Sequence, residues 1–141
     1  VSVSSNAHYS VSKLDPSLAR GKTRSLSGWS EYCHSKAAMA AMAMELAHRN
    51  QEVQSVAVHP GLVSTGLWRR IPQPFRALVT RRMVPSSIGA LPLVRAATDP
   101  LLPSGCYLTP EGVRAPGRAV EDSAARALLW ESSLRWVESY Q

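Results

Sequence analysis

Three observations predict an α/β fold whose strands run parallel. The chain opens on Val1-Ser2-Val3-Ser4, a short β-branched alternation of the kind that fills strands. A long run of strong helix formers follows, Ala37-Ala38-Met39-Ala40-Ala41-Met42-Ala43-Met44-Glu45-Leu46-Ala47. Then comes Val53-Gln54-Ser55-Val56-Ala57-Val58, a second β-branched segment stopped by His59-Pro60-Gly61. Strand, helix, strand in that order predicts a right-handed crossover in one sheet.

Each element has a local reason. Residues 6–29 are rich in Ser, Gly and charge and read as a long surface loop. The helix spans about Ser30 to Asn50, with Trp29 or Ser30 near its cap, Glu31 suiting its positive end and His48-Arg49-Asn50 the other. It is apolar around most of its circumference, which predicts burial on more than one side. Residues 66–85 form an amphipathic, Arg-rich excursion broken by Pro72 and Pro74. A further helix is expected from Ser86 to Thr98, with a kink at Pro92, then a short last strand at Gly105-Cys106-Tyr107-Leu108. A terminal helix from about Asp122 to Tyr140 would set Leu129, Trp130, Leu134 and Val137 toward the core.

Length and charge bound the function. The 141 residues are of single-domain size, and 45% apolar content is that of a globular chain. The opening nevertheless reads as a strand end with no turn or cap before it, and no Gly-x-Gly loop follows any predicted strand. The expectation is therefore the C-terminal half of a larger α/β domain. A net charge of +6 raises the question of nucleic acid, yet there is no long Lys/Arg run, no zinc spacing and no RNA-binding aromatic motif. A solvated basic face, with no nucleic-acid partner, is the better expectation. Cys33 and Cys106 read as small core residues of a reducing compartment, and His8, His34, His48 and His59 lack metal-ligand spacing. His34, two positions from Tyr32, faces away from it and reads as structural.

The chemistry lies at the head of the long helix. Tyr32 and Lys36 are four residues apart, about one helical turn, so a phenol and an ammonium share one face. A cation beside a phenol favours the phenolate, which suits Tyr32 to exchanging a proton near neutral pH. A hydroxyl from the neighbouring strand end, Ser5 or chemically equally well Ser4, would hold a substrate oxygen. Tyr9 and Lys13 repeat the spacing, but Leu14-Asp15-Pro16 follows them and the proline argues against a helix running through. They read as surface loop residues.

Taken together, these segments resemble the short-chain dehydrogenase/reductase family, in particular its retinol-dehydrogenase-like branch. The resemblance rests on Val1-Ser2-Val3-Ser4-Ser5, with Ser2 where the family usually has Asn, and on the following Asn6-Ala7-His8. It also rests on Tyr32-Cys33-His34-Ser35-Lys36, on His59-Pro60-Gly61-Leu62-Val63-Ser64-Thr65 and on Leu129-Trp130-Glu131-Ser132-Ser133. It covers nearly the whole chain and implies a Rossmann-like parallel sheet with flanking helices, residues 1–141 forming the catalytic, C-terminal half.

Residue by residue, the resemblance implies that Tyr32 is the general acid or base and that Ser5 holds the substrate oxygen. Lys36 would favour the phenolate and bind the nicotinamide ribose, and Tyr32 would count among the cofactor contacts as well. Pro60, Gly61, Val63 and Thr65 would take the nicotinamide end of NAD or NADP. The family's Gly-rich turn, its Asn-Asn-Ala-Gly segment and its helix-borne catalytic Asn have no counterpart in this sequence. Those parts would bind the adenosine and pyrophosphate, and their choice between NAD and NADP goes with them.

The implied substrate is a small lipophilic alcohol or carbonyl compound, retinoid-, steroid- or lipid-like. The implied location is intracellular, in the cytoplasm or associated with the endoplasmic reticulum. Residues 67–83 would cover the substrate, touch a membrane surface or remain a solvated loop. The Tyr32–Lys36 helix would offer a homodimer contact. The alternative reading is a catalytically inactive fragment that serves as a binding module.

Overall fold

The structure is a computed structural model that describes residues 1–19, 26–64 and 83–139. In chain order the elements begin with strand β1 (Ser2–Val3), two 3-10 turns (Asn6–Ser10 and Pro16–Ala19), helix α1 (Trp29–Arg49) and strand β2 (Ala57–Val58). Helices α2 (Ser86–Gly89) and α3 (Leu91–Thr98), strands β3 (Tyr107–Thr109) and β4 (Gly112–Arg114), and helices α4 (Arg118–Glu121) and α5 (Ser123–Glu138) follow. The sheet order is β1-β2-β3-β4, parallel across the first two pairings and antiparallel across the last. This is an α/β fold with a small, mostly parallel sheet, and β1-α1-β2 is the expected parallel crossover.

Alternation along the strands divides the core in two. Ala57 and Tyr107 point to the face covered by α1, α4 and α5, where Cys33, Ala37, Ala40, Ala41, Val120 and Leu129 are buried. Val56, Val58 and Leu108 point to the other face, against Ala96 and Leu102. The alanines of α1 leave little side-chain bulk at its contact with α5.

Several boundaries differ from expectation for local reasons. The second strand begins late because Asn50 forms a turn: its Oδ1 accepts from Glu52 N at 3.0 Å, and Val53 N reaches Asn50 O at 3.4 Å. Val53 is consequently exposed. The helix expected over 86–98 is two helices meeting at Ala90, since Pro92 sits in the first turn of the second, where its missing N–H costs nothing. Gly105 has φ +80 and cannot extend the last strand, which starts instead at Tyr107.

A hairpin to β4 went unforeseen, although Thr109-Pro110-Glu111-Gly112 places Pro and Gly where a tight turn favours them. The first loop is no open loop either. His8, Val11 and Leu14 are buried beneath the 3-10 turns. The terminal helix is capped by Asp122, whose carboxylate accepts from Ala125 N at 3.0 Å. Its inward stripe differs from expectation: Leu129 and Ser132 are buried, whereas Leu134 and Val137 are exposed. Serine is tolerated there because the Ser132 hydroxyl donates to Leu128 O at 2.7 Å.

Candidate active-site cleft

Ser4 and Ser5 leave β1 on opposite sides and do different work. Ser4 is buried and its hydroxyl donates to Lys36 O at 2.7 Å, fastening α1 to the strand end. Ser5 caps the first 3-10 turn, its Oγ accepting from Ala7 N at 3.2 Å. That bond occupies a lone pair and leaves the hydroxyl proton available to a second partner. Ser5 also lines a cavity of about 670 Å³ with Asn6, Trp29, Tyr32, His59 and Leu62 among its walls.

Helix α1 delivers Tyr32 to the same cavity. Its N-cap is Gly28 at φ +67, a left-handed conformation suited to glycine, rather than Trp29 or Ser30. Trp29, one turn before Tyr32, stacks on its ring with centroids 5.6 Å apart. Tyr32 is 41% exposed and lines the cavity. Lys36 lies one turn further on, with Nζ 5.7 Å from the Tyr32 ring centroid and donating to Val3 O at 3.1 Å. The ammonium is thus tied to β1 two residues before Ser5, which locks helix and strand end in mutual register.

Beyond β2 the chain turns through His59, Pro60 and Gly61. A second cavity, about 680 Å³, is walled by Pro60, Gly61, Ile88, Arg95 and Glu111, and it shares Asn6, His59 and Leu62 with the first. Gly61 adopts φ +86, and a Cβ there would come within 3.3 Å of Pro110 Cγ, so the turn needs glycine on two counts. Val63 bridges to Val84, and its side chain fills the space that a Cβ on Gly89 would require. Thr65, most of the 67–83 excursion and the Arg cluster within it lie outside the described residues.

Two buried histidines back the cleft. His59 is 8% exposed and its Nδ1 has no hydrogen-bond partner among the described residues. Burial holds its imidazole below the ordinary range, opposed by the Glu111 charge and reinforced by His8. His8 is fully buried and is likewise pushed down by burial. Beside it, the Tyr107 hydroxyl donates to Asn6 Oδ1 at 3.0 Å, and burial drives that phenol well above its usual range.

Ser5, Tyr32, Pro60 and Gly61 therefore come together around two adjoining cavities, with Lys36 tethered behind Tyr32. Tyr9 and Lys13 do not join them: Tyr9 donates to Ala115 O at 2.6 Å, away from the cleft. Sequence reasoning passed over Asn6, Trp29 and the side chain of His59. Trp29 was detectable, since it lies three residues from Tyr32 on the same helix face. Among the described residues no group of three or more His, Cys, Asp or Glu could hold a metal ion, and no helix is long and apolar enough to cross a membrane.

Comparison with known proteins bears on fold. No protein-family model matches the chain, and no curated protein matches it. Among solved structures it is similar to an uncharacterized protein from Mycobacterium paratuberculosis, at 25% identity and a TM-score of 0.70. The match covers 94% of this chain and 47% of that one, so the chain spans about half the length of this relative. The likeness agrees with the α/β architecture and carries no chemistry of its own.

Proposed function

We propose that the chain is the catalytic half of a Rossmann-like short-chain dehydrogenase/reductase that interconverts a hydroxyl and a carbonyl group on a lipophilic substrate, with NAD or NADP. The observation that carries this reading is the convergence of Ser5 and Tyr32, from a strand end and a helix head, on one cavity. The cavity walls include Ala7, Trp29 and Leu62, an apolar lining that favours an apolar substrate body.

The residues present fit the nicotinamide end of such a cofactor. Gly61 opens the turn beside the second cavity, and the buried, unpartnered Nδ1 of His59 marks a polar position on the wall between the two. Lys36, Pro60, Gly61, Val63 and Thr65 would hold the group, which supplies or accepts hydride when bound. The chain's own residues do the rest. The Ser5 hydroxyl, already accepting from Ala7 N, donates to the substrate oxygen and steadies the charge that develops on it. Tyr32 gives a proton to that oxygen in reduction and takes it back in oxidation. Lys36, anchored on Val3 O, sets a fixed positive charge by the Tyr32 ring and holds the head of the helix against the strand end that carries Ser5.

The test is Tyr32→Phe in the full-length protein, assayed with NAD(P)H and lipophilic aldehydes and ketones. The substitution keeps the ring against Trp29 and removes the proton. Turnover is expected to fall by about 100- to 10,000-fold while cofactor binding persists. Retained turnover would remove Tyr32 from the mechanism.

A second reading, a non-catalytic binding module, draws on exposed apolar residues of α5: Leu128, Leu134 and Val137. Absence of turnover together with saturable capture of a second copy or another chain would favour it.

A further inference from the structure

His8 stands directly behind Ser5 and joins two parts of the chain that are distant in sequence. Its Nδ1 lies 2.7 Å from Ser5 O, and its Nε2 lies 2.9 Å from the backbone nitrogen of Gly117. The Gly117 N–H can only donate, so Nε2 accepts and the proton resides on Nδ1, which donates to the Ser5 carbonyl. That carbonyl also accepts from His8 N at 3.0 Å, so two donors grip it.

The ring itself is held on every side. Tyr9 lies at 4.1 Å between centroids and Tyr107 at 4.5 Å, edge-on. A Cβ on Gly117 would approach His8 Cδ2 to 3.3 Å, so that residue fits against the imidazole only as glycine or with displacement. The ionisable groups around it are the phenols of Tyr9 and Tyr107, with His59 acting from the end of β2 and Arg114 and Glu121 acting on Tyr9. Among the described residues none of the ring contacts is a carboxylate; burial pushes the imidazole below its ordinary range against the Ser5 carbonyl, and the Gly117 N–H on Nε2 fits the neutral ring.

We propose that His8 is the positioning residue of Ser5: a neutral imidazole, anchored on Gly117, that fixes the Ser5 carbonyl and so aims the Ser5 hydroxyl into the cleft. Loss of the Nδ1 donor frees the capping residue of the 3-10 turn, and the bond from Ala7 N to Ser5 Oγ loosens with it. The catalytic consequence rests on the function proposed above; the geometric one does not.

Two substitutions separate the two ends of the ring. His8→Asn places an amide N–H where Nδ1 is and abandons Gly117. His8→Gln reaches Gly117 and abandons Ser5. In the full-length protein, nitrogen-15 spectra of the histidines should show His8 as the Nδ1–H tautomer at neutral pH. Hydrogen exchange at the Ala7 amide should stay slow in wild type and His8→Asn, and quicken about fivefold or more in His8→Gln.

If carbonyl reduction is present, kcat should follow the same order, with KM for the cofactor unchanged. An Nε2–H tautomer, or equal exchange at Ala7 in both variants, overturns the proposal. A full-length protein that turns over no alcohol or carbonyl would sink the functional reading, while the tautomer and exchange data would still decide the role of His8.

Discussion

A single imidazole can carry both geometry and pH dependence, and His8 and His59 do so here. In the folded chain both are pushed below the ordinary value of 6.5 by burial. The unfolded chain therefore binds protons near pH 6 that the folded chain refuses. Their contribution to stability is fully present above pH 6.5 and declines as pH falls through the depressed folded values. Urea unfolding followed from pH 8 to pH 5 should show this decline, and His8→Gln should make it shallower, leaving the His59 part. Stability that holds level or rises on acidification over this range would contradict the assignment. At this scale the sequence was informative about residue type and poor about environment. Tyr32, Lys36 and the Ser4-Ser5 pair could be read from spacing, but only packing shows that Ser4 is buried against Lys36 O while Ser5 faces a cavity. His59 read simply as part of a turn, because nothing in sequence says that a side chain will be enclosed without a partner.

Between elements, the contact of α1 with α5 rests on charge as well as on alanine. Glu45 is buried on α1, and its Oε1 accepts from Arg49 Nε at 2.7 Å. Its Oε2 lies 3.6 Å from Arg126 Nε, and Arg49 continues to Glu131 at 2.9 Å and over the Trp130 ring. Arg126 also donates to Val120 O and Glu121 O, both at 2.8 Å, capping the end of α4. Removing the charge leaves the nearly buried Arg126 guanidinium with carbonyl acceptors but no carboxylate counter-ion, so Glu45→Gln is expected to cost about 3 kcal/mol. Urea denaturation measures this, and a loss under about 1 kcal/mol would place the pair with ordinary exposed ones. Long elements with strong periodicity were legible: α1 and α5 appear within a residue or two of expectation. Short elements were not. The β3–β4 hairpin has three residues per strand, and the 86–98 helix was divided by a proline that starts one helix as readily as it kinks another. The stripe of α5 differs from expectation because a buried serine that bonds back to its own helix, Ser132, looks polar in sequence.

For the molecule as a whole, the two layers differ in completeness. One face of the sheet is covered by α1, α4 and α5, whereas the described residues on the other face bury only a small cluster around Val56, Val58, Ala96, Leu102 and Leu108. On α3 and its flanks Ile88, Leu91, Val94 and Leu101 remain exposed, the last at 89%. Among the described residues strand β1 is paired on one side, to β2, and stands at the edge of the sheet order. An edge strand with unpaired backbone groups next to uncovered apolar side chains lacks the two-sided burial that parallel sheets require. The 141-residue chain on its own is therefore expected to unfold with low cooperativity. Calorimetry should give an enthalpy per residue well below the roughly 0.7 kcal/mol typical of globular domains near 60 °C. Hydrogen exchange should be fastest in β1 and α3 and slowest in α1, whose alanine face is enclosed. A longer polypeptide that supplies a neighbouring strand and a helix over α3 should sharpen the melt and slow exchange in β1 and α3 first. A sharp two-state melt of the 141-residue chain alone, with β1 amides as protected as those of β2, would mean that this half-covered sheet is sufficient in itself.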